Sequence, residues 1–462
     1  MKRRLLMALT CSLVLAATLA PAACNPCRDD GDVAICGDFG ELGWVEALWG
    51  DQRLQWPAVA TERATVLVVE GDRLSEIGHQ GGRIELETLA GTASAPSLAD
   101  DGRIFVSASD SNGQVSVNGA SDVGLVTWSQ PIGGDSVTTP PAIGGDELHV
   151  AVTADGRTGR QLTTLRASDG TVVRTRDDAS PAAVAADGCL QYLVGAEDCG
   201  ATFQTLVTEE RDRTERWRYS DASGIRDFAP GPDGEVYVVT GDRSLVRVSA
   251  QGEVEWTFQP DCKSCNVAAA PTVTAEAVYF PVWQGWAQNG GCDDPEPQFP
   301  SEETLDPLYA LRRDGTLLWK YDGFDTLGAP YDSNSAMLGP LALSMQTAVR
   351  HHPSGRPTVA EDGTLYVATD GAVVALDRDG QQLGWAMYNS TAGEVRSGDG
   401  GLMTFSSVIN TGLAPAPVLG PDGSLYVWDG ASIRAFRTGK PAAKIPWGAP
   451  FGGYRNAGRV GG

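Results

Sequence analysis

The chain has 462 residues, of which 56 are glycine and 20% are charged, and its formal net charge is −24. This length is enough to bury a large core in one big domain or in two to three ordinary ones. A surface this acidic repels nucleic acid and anionic lipid, so the composition argues against both as partners.

The N-terminus has the pattern of an export signal. The basic start MKRR is followed by an apolar run from Leu5 to about Ala20, too short and too early for an ordinary membrane span. We predict a signal peptide over residues 1–23 and a Cys-containing segment over residues 24–38. No later stretch is apolar and long enough to span a bilayer, so the folded part is expected outside the cytoplasm.

Two cleavage sites compete at the end of this signal. Residues 20–22 read Ala-Pro-Ala and fit ordinary signal peptidase, whereas residues 21–24 read Pro-Ala-Ala-Cys and resemble a lipobox. A lipobox would place a lipid on Cys24, although Pro21 stands where Leu is usual. The expected location is therefore the periplasm, the outer membrane through a lipid tether, or the medium.

Nine cysteines in an exported chain indicate disulfide bonds. Cys11 lies in the signal, and Cys189 and Cys199 flank one strand and turn of a repeat and are expected to staple a hairpin. Without a lipid on Cys24 an even number remains and all can pair, so parity favours simple secretion. Connectivity stays open among the disulfide candidates, which are Cys27, Cys36, Cys189, Cys199, Cys262, Cys265 and Cys292.

Glu361–Trp385, EDGTLYVATDGAVVALDRDGQQLGW, shows the repeating unit most clearly. Three short runs rich in β-branched and apolar residues are separated by Asp-Gly turns, and Thr358-Val359 leaves room for a fourth strand. Similar units begin at Trp56, Ala95, Pro140, Ser180, Ala229, Ala270 and Ala416. A period of about 40 residues with four strands per unit predicts a β-propeller, whose blades are covered on both faces.

The eighth copy ends at SIRAFRTG without its Trp-containing strand. The missing strand is predicted at Gly40–Trp44, GELGW, which has the Gly-to-Trp spacing of GEVEW and GTLLW. The fold class is therefore all-β: an eight-bladed propeller over residues 39–462, four antiparallel strands per blade, closed by an N-terminal strand that leaves no long sheet edge. The closing Trp of each unit is expected to wedge between adjacent blades, and a monomer is expected.

A phrase at Ala375–Trp385 and Ala310–Trp319 resembles the tryptophan-docking motif of PQQ-repeat, quinoprotein-dehydrogenase-like eight-bladed propellers, and the tail PWGAPFGGYRNAGR resembles their exported members. The resemblance covers about residues 39–462 and concerns the fold more than the activity. Enzymes of this family hold PQQ with Ca²⁺ and a ring formed by two adjacent cysteines, and the sequence has no such cysteine pair. We therefore expect no cofactor and no PQQ-dependent dehydrogenase activity.

Three other motifs are assigned to structure. Cys262 and Cys265 have thioredoxin-type spacing, but no helix signal follows them, so a surface disulfide is expected. The Asp-Gly turns are what tight turns require and do not indicate calcium loops. His351 and His352 are adjacent, and neighbours on an extended chain point in opposite directions, so no metal site is assigned.

Three long segments, Pro281–Pro307, Asp322–Gly355 and Tyr388–Pro415, are predicted to lie on one face over blades six to eight. They carry the candidate binding residues Trp283, Trp286, Tyr331, His351, His352 and Tyr388. Exposed aromatics suit a protein segment or a carbohydrate of the cell envelope, although they would equally anchor the loops.

We favour a non-catalytic exported binding protein, similar to the propeller lipoprotein of the outer-membrane β-barrel assembly machinery. The alternative is a secreted hydrolase or redox enzyme with its active site among the long loops. Convergent carboxylates and histidines in one deep pocket would favour the enzyme. No catalytic residue is assigned.

Overall fold

The protein is described from a computed structural model, over residues 28–30, 33–47, 58–137, 139–153, 160–196, 203–261, 266–267, 270–283, 307–323, 356–369, 372–388, 416–428 and 432–443. Within these ranges every element is a β-strand, and no helix there is long and apolar enough to cross a membrane. The first eighteen strands are β1 (Arg28–Asp30), β2 (Val33–Gly37), β3 (Glu41–Ala47), β4 (Val59–Ala60), β5 (Val66–Glu70), β6 (Arg73–Ile77), β7 (Arg83–Thr88), β8 (Thr92–Ala93), β9 (Ser97–Leu98), β10 (Ile104–Ser109), β11 (Val115–Ala120), β12 (Val126–Pro131), β13 (Ser136–Val137), β14 (Ala142–Gly144), β15 (Glu147–Thr153), β16 (Arg160–Arg166), β17 (Val172–Asp177) and β18 (Ala179–Val184).

The remaining strands follow in chain order: β19 (Leu190–Ala196), β20 (Phe203–Glu209), β21 (Glu215–Pro230), β22 (Val236–Thr240), β23 (Leu245–Val248), β24 (Val254–Phe258), β25 (Asn266–Val267), β26 (Thr272–Val273), β27 (Ala277–Trp283), β28 (Leu308–Arg312), β29 (Leu317–Tyr321), β30 (Thr358–Val359), β31 (Leu365–Thr369), β32 (Ala372–Leu376), β33 (Gln382–Tyr388), β34 (Val418–Leu419), β35 (Ser424–Trp428) and β36 (Ser432–Arg437). Their lengths and the turns between them match the short apolar runs and Asp-Gly punctuation of the sequence.

The described strands form seven sheets, all built from antiparallel hairpins. We name them sheet 1 (β4–β7), sheet 2 (β8–β12), sheet 3 (β13–β17), sheet 4 (β18–β24), sheet 5 (β25–β29), sheet 6 (β30–β33 with β2 and β1) and sheet 7 (β34–β36 with β3). Sheet 4 holds two four-stranded units that share β21, because β20 pairs with its first half and β22 with its second. The predicted all-β class with four-stranded antiparallel units is confirmed.

The hydrophobic core lies between the sheets. Middle strands such as β5, β22 and β31 are buried along their whole length, which explains why they are apolar on both sides. From sheet 1 to sheet 7, each sheet shares a cluster of buried side chains with the next sheet in chain order. A further cluster joins Val66 and Val68 of sheet 1 to Tyr426 and Ile433 of sheet 7.

Tryptophans on the last strands of four units dock onto the next unit. Each indole Nε1 donates to a backbone carbonyl there: Trp128 to Ala167 (3.2 Å), Trp217 to Ala250 (3.0 Å), Trp256 to Arg313 (2.8 Å) and Trp319 to Arg378 (2.8 Å). Under each ring lies a turn glycine with positive φ, where an added Cβ would come within 2.8 Å of the indole: Gly170, Gly252, Gly315 and Gly380. For these four tryptophans the predicted wedging between units is confirmed, and glycine is required both by φ and by the indole.

The edge of the sheets beside these glycines is built from short, self-contained turns. In most of them the first amide donates to the fifth carbonyl, for example Ser249 to Glu253 at 2.8 Å and Ala360 to Thr364 at 2.8 Å, whereas in the turn of Gly170 the Arg166 amide donates to the Thr171 carbonyl at 2.8 Å. The aspartate of the turn accepts the amide two residues later, as Asp314 does from Thr316 at 2.9 Å. Asp-Gly therefore serves turn geometry here. We call this edge the short-turn face.

The N-terminal strands join the last two sheets. β3 pairs with β36 from Glu41↔Arg437 to Ala47↔Ser432, and β2 pairs with β33. Arg83 of sheet 1 donates to the Ala47 carbonyl at 2.7 Å while it is ion-paired with the buried Glu70 at 2.5 Å. The N-terminal strand is thus held by sheet 7 on one side and by sheet 1 on the other.

Stability should depend on pH through His149, which is buried in β15 with Nδ1 3.0 Å from the Thr164 hydroxyl. Burial and then the charge of Arg174 lower the pKa of His149 from 6.5 to about 3. As the pH falls below 6.5, His149 becomes protonated in the unfolded chain but stays neutral in the folded chain. The stability that is present above pH 6.5 is therefore lost as the pH falls towards 3. Between pH 6.5 and 5 this loss amounts to about 2 kcal/mol.

Urea unfolding of the wild type and of His149→Gln at several pH values measures this effect. The wild type should lose more stability on acidification than the variant, by that amount. Equal pH slopes for the two proteins would contradict the assignment.

Candidate functional site

Three long connections leave the sheets at one edge. They run between the end of β27 and the start of β28, between β29 and β30, and between β33 and β34. Because strand direction alternates within a unit, all of these strand ends lie opposite the short-turn face, on sheets 5, 6 and 7. We call this edge the long-loop face.

Two of the predicted binding residues fall on described strands. Trp283 is the last residue of β27 and pairs with Asn266, and Tyr388 is the last residue of β33 and pairs with Val33. Trp286, Tyr331, His351 and His352 lie outside the described residues. Binding through these residues therefore stays a prediction, although both described positions are at the long-loop face.

An ion pair joins the inner strands of three sheets at this face. Arg356, whose side chain is 8% exposed, contacts Asp227 of β21 with Nη2–Oδ2 at 2.9 Å. The same carboxylate oxygen accepts the Ala270 amide at 3.1 Å. Sheets 4, 5 and 6 are thus connected where the long segment before β30 ends. The buried Arg356 guanidinium would be costly without the Asp227 carboxylate as its partner. The pair therefore fixes the point at which the long segment enters β30.

A second polar cluster lies where the segment after β24 of sheet 4 meets β28 and β29 of sheet 5. The Tyr309 hydroxyl donates to Asp261, and Lys320 Nζ lies 3.2 Å from the same carboxylate. The hydrogen bond from Tyr309 and the charge of Lys320 hold the pKa of Asp261 below its usual range. Burial and then Asp261 raise the pKa of Tyr309. The phenol therefore stays protonated as a donor and the carboxylate stays charged.

Two arginines at the long-loop face add local positive charge to this acidic protein. Arg226 lies at a β-bulge in β21, and Arg243 is in the next turn with a φ of +76°. Burial and then the charge of Arg243 lower the pKa of Arg226. In the part of the chain that the structure describes, neither guanidinium makes a hydrogen bond or ion pair with another side chain. Sequence reasoning missed both arginines because a single arginine in a strand carries no motif.

The predicted staple between Cys189 and Cys199 is wrong. Cys189 is a free, buried thiol that donates to Glu210 at 3.4 Å. Seven-residue β19 follows Cys189 directly and spans about 20 Å, and disulfide-bonded Cα atoms lie within about 7 Å. The far end of β19 is therefore held away from Cys189 by the length of the strand.

The other candidate cysteines are little described. Cys36 lies in β2 opposite Trp385. Cys24, Cys27, Cys199, Cys262, Cys265 and Cys292 lie outside the described residues, so their disulfides and the lipid stay predictions.

No family model matches the chain, and no curated protein matches it in sequence. Among solved structures, quinohemoprotein alcohol dehydrogenase ADHIIG from Pseudomonas putida HK5 is similar with a TM-score of 0.56 and 12% identity, covering 88% of this chain and 78% of that one. The enzyme of the same name from Comamonas testosteroni has a TM-score of 0.55 and 12% identity, over 89% and 77%.

BamB from Moraxella catarrhalis is also similar, at a TM-score of 0.42 and 12% identity over 79% of this chain and 96% of that one, which is too loose for an argument. The two dehydrogenases confirm the predicted quinoprotein-dehydrogenase-like propeller as the fold, and they show the fold alone.

The Cys189 thiol should be inert in the folded protein. Burial and then the charge of Asp187 raise the pKa of Cys189 to about 12, so almost no reactive thiolate exists at neutral pH. Iodoacetamide should label Cys189 only after unfolding in urea without reductant, as read by peptide mass spectrometry. Labelling of the native protein at a rate typical of free cysteine would contradict this, and absence of labelling in urea would restore a disulfide. Cys189→Ala identifies the peptide.

Proposed function

We propose that the chain is an exported, non-catalytic eight-bladed propeller that binds a protein or another partner of the cell envelope through its long-loop face. The observation that carries this proposal is the asymmetry of the two faces. Three long connections join strand ends of three consecutive sheets at one edge, while the opposite edge has short turns whose backbone groups bond within the turn. Long segments on a rigid scaffold are where binding surfaces are usually built.

In the proposed ring, sheet 4 supplies two blades and each of the other six sheets supplies one. The double role of β21 supports this division, and the shared cluster of sheets 1 and 7 supports a closed ring. We propose β3 as the strand that closes it. The pairing of β3 with β36 and the bond from Arg83 to Ala47 support that role, as does Trp44, whose ring lies 3.6 Å from a Cβ built on Gly81.

Closure is tested by Trp44→Ala. The ring of Trp44 packs between Tyr426 of sheet 7 and the turn of sheet 1, so its loss should cost about 2–4 kcal/mol of unfolding free energy. Val45→Ala, at the exposed neighbouring position, is the matched control and should have little effect. Identical urea curves for Trp44→Ala and wild type would show that the ring does not depend on this strand.

Cysteine parity supports a lipid tether. Of the nine cysteines, Cys11 leaves with the signal and Cys189 is free, so an odd number remains. A lipid on Cys24 would take one and leave Cys27, Cys36, Cys199, Cys262, Cys265 and Cys292, an even set that can pair completely. The free thiol thus reverses the preference for simple secretion that the sequence alone suggested.

The chemistry of the long-loop face fits a partner with apolar and acidic groups. Trp283, Trp286, Tyr331 and Tyr388 are the proposed apolar anchors, and a few aromatic anchors dominate the free energy of typical interfaces. Arg226 and Arg243 supply positive charge at the same face. The alternative, a hydrolase or redox enzyme with its site among the same loops, has the fold of the two alcohol dehydrogenases in its favour.

Capture from envelope extracts identifies the partner, and titration with the purified partner then tests the face. Single changes to Ala of the four aromatic anchors should weaken binding about tenfold or more while the melting temperature is unchanged. Val254→Ser and Leu317→Ser remove exposed apolar side chains just after turns of the short-turn face and should leave binding intact.

Three outcomes would contradict the proposal. If only the two controls abolish binding, the face is wrong. If the aromatic variants unfold, these side chains anchor the loops. Turnover of a small substrate that the aromatic variants abolish would establish the enzyme instead.

A further inference from the structure

Two arginines lie at the long-loop edge of neighbouring sheets. Arg160 is the first residue of β16, and its guanidinium carbon lies 5.2 Å from the centre of the Phe203 ring, at the start of β20. Phe203 pairs with Ile225 of β21, and Arg226 follows Ile225 directly at the β-bulge. Arg160 of sheet 3 and Arg226 of the second unit of sheet 4 therefore stand at the same edge, with the ring of Phe203 from the first unit between their strands.

A third arginine, Arg243, lies beside Arg226. Ile225 pairs with Thr240, where β22 ends, and the Arg243 amide donates to the Thr240 carbonyl at 3.0 Å in the turn that follows. Arg243 has a φ of +76°, which non-glycine residues rarely adopt. Its charge is close enough to Arg226 to lower the pKa of that group. We call Arg160, Arg226 and Arg243 the basic row.

The carboxylates closest in the chain to Arg226 and Arg243 are bonded to other groups. Each of the three accepts a hydrogen bond elsewhere: Asp221 from the Ser223 amide at 2.8 Å, Asp242 from the Ser244 amide at 3.2 Å and Asp227 from the Arg356 guanidinium at 2.9 Å. Among the described residues, no guanidinium of the basic row makes a hydrogen bond or an ion pair. The positive charge of the row is therefore not neutralised within this part of the chain.

Two guanidinium groups of the row are partly withdrawn from water. Burial lowers the pKa of Arg160, and burial and then Arg243 lower the pKa of Arg226, the only two described arginines with a lowered pKa. Arg226 Nε is buried and has no hydrogen-bond acceptor among the described residues. A half-buried cation without a counter-charge is costly in free energy, and a polar group left so in a native protein commonly marks a bound ion or a functional role. A negatively charged ligand would offset this cost.

We propose that the basic row binds the carboxylates of an acidic segment of the partner protein. Guanidinium groups bind carboxylates through two parallel hydrogen bonds. The three arginines extend over sheets 3 and 4 instead of surrounding one point, which suits several carboxylates along a peptide better than one small anion. The whole chain has a formal net charge of −24, so local positive charge is needed for an acidic segment to approach. This inference rests on the proposed function only in taking the partner to be a protein.

Fluorescence anisotropy of a dye-labelled hexaglutamate peptide tests the row without the partner. The wild type should bind this peptide, and hexaglutamine with the same dye should not bind. Arg160→Gln, Arg226→Gln and Arg243→Gln should each weaken hexaglutamate binding about threefold or more. Arg211→Gln is the matched control, because it removes an exposed arginine from a turn of the short-turn face. Strands of five residues, such as β22, place that face about 17 Å away, so at ~0.1 M salt its charge is screened and binding should be unchanged.

Melting temperatures of the same samples separate binding from folding. Arg226→Gln removes an unpaired, half-buried charge, so its melting temperature should equal or exceed that of the wild type. Hexaglutamate should raise the melting temperature of the wild type and of Arg211→Gln, but not that of Arg226→Gln. A marked fall in the melting temperature of Arg226→Gln would show that the guanidinium serves the fold and would overturn the proposal.

Three further results would also overturn it: no binding of hexaglutamate by the wild type, equal binding by the row variants and the wild type, or a rise in melting temperature with inorganic phosphate but not with hexaglutamate. The last of these would assign the row to phosphate. If the row variants lose hexaglutamate binding while the aromatic variants keep full partner binding, the basic row stands and the proposed aromatic anchors are wrong.

Discussion

The structure depends on one contact between neighbouring units. A tryptophan on the last strand of one unit packs on a glycine turn of the next unit. The indole nitrogen donates to a turn carbonyl, and the ring occupies the space that a side chain on the glycine would need. Each unit alone would leave both apolar faces of its sheet in water. The contact sets the position of each sheet against its neighbour, so the apolar middle strands become a row of buried interfaces.

Buried charges reinforce these interfaces. Glu209 of sheet 4 is ion-paired with Arg174 and Arg176 of sheet 3. Glu235 of sheet 4 is 2.6 Å from Arg313 of sheet 5. Such pairs add little net stability compared with apolar packing, but removal of one partner leaves a buried charge and is expensive. They therefore favour one alignment of neighbouring sheets over the alternatives, and so add rigidity to the frame from which the long connections leave.

Much of this arrangement could be predicted from the sequence because it is local and repeated. Nearly every unit has short apolar strands, Asp-Gly turns and the same Gly-to-Trp spacing. Each of these features reflects a contact between residues that are close in the chain, or between one unit and the next. The antiparallel units and the docking of Trp256 on Gly315 followed from that pattern. The pairing of β3 with β36 was also indicated, because the eighth copy visibly lacks a strand.

The candidate site was less predictable for the opposite reason. Asp227 and Arg356 are 129 residues apart and belong to different units, and nothing in either local sequence indicates the other. Arg226 owes its position to a bulge that composition does not reveal. Cys189 was assigned to a staple because proximity in the chain was taken for proximity in space, and an extended strand separates its two ends.

The most direct measurement of the central contact is a comparison of two glycines with similar φ. Gly315 (φ +87°) lies under Trp256, whereas an added Cβ at Gly133 (φ +79°) meets nothing within 4 Å. Urea unfolding of Gly133→Ala should show only the backbone cost, about 1–2 kcal/mol. Gly315→Ala should cost about 1–3 kcal/mol more, and that excess should disappear when Trp256→Ala is present. Equal losses for the two glycine variants, or an excess that persists without the indole, would contradict the account.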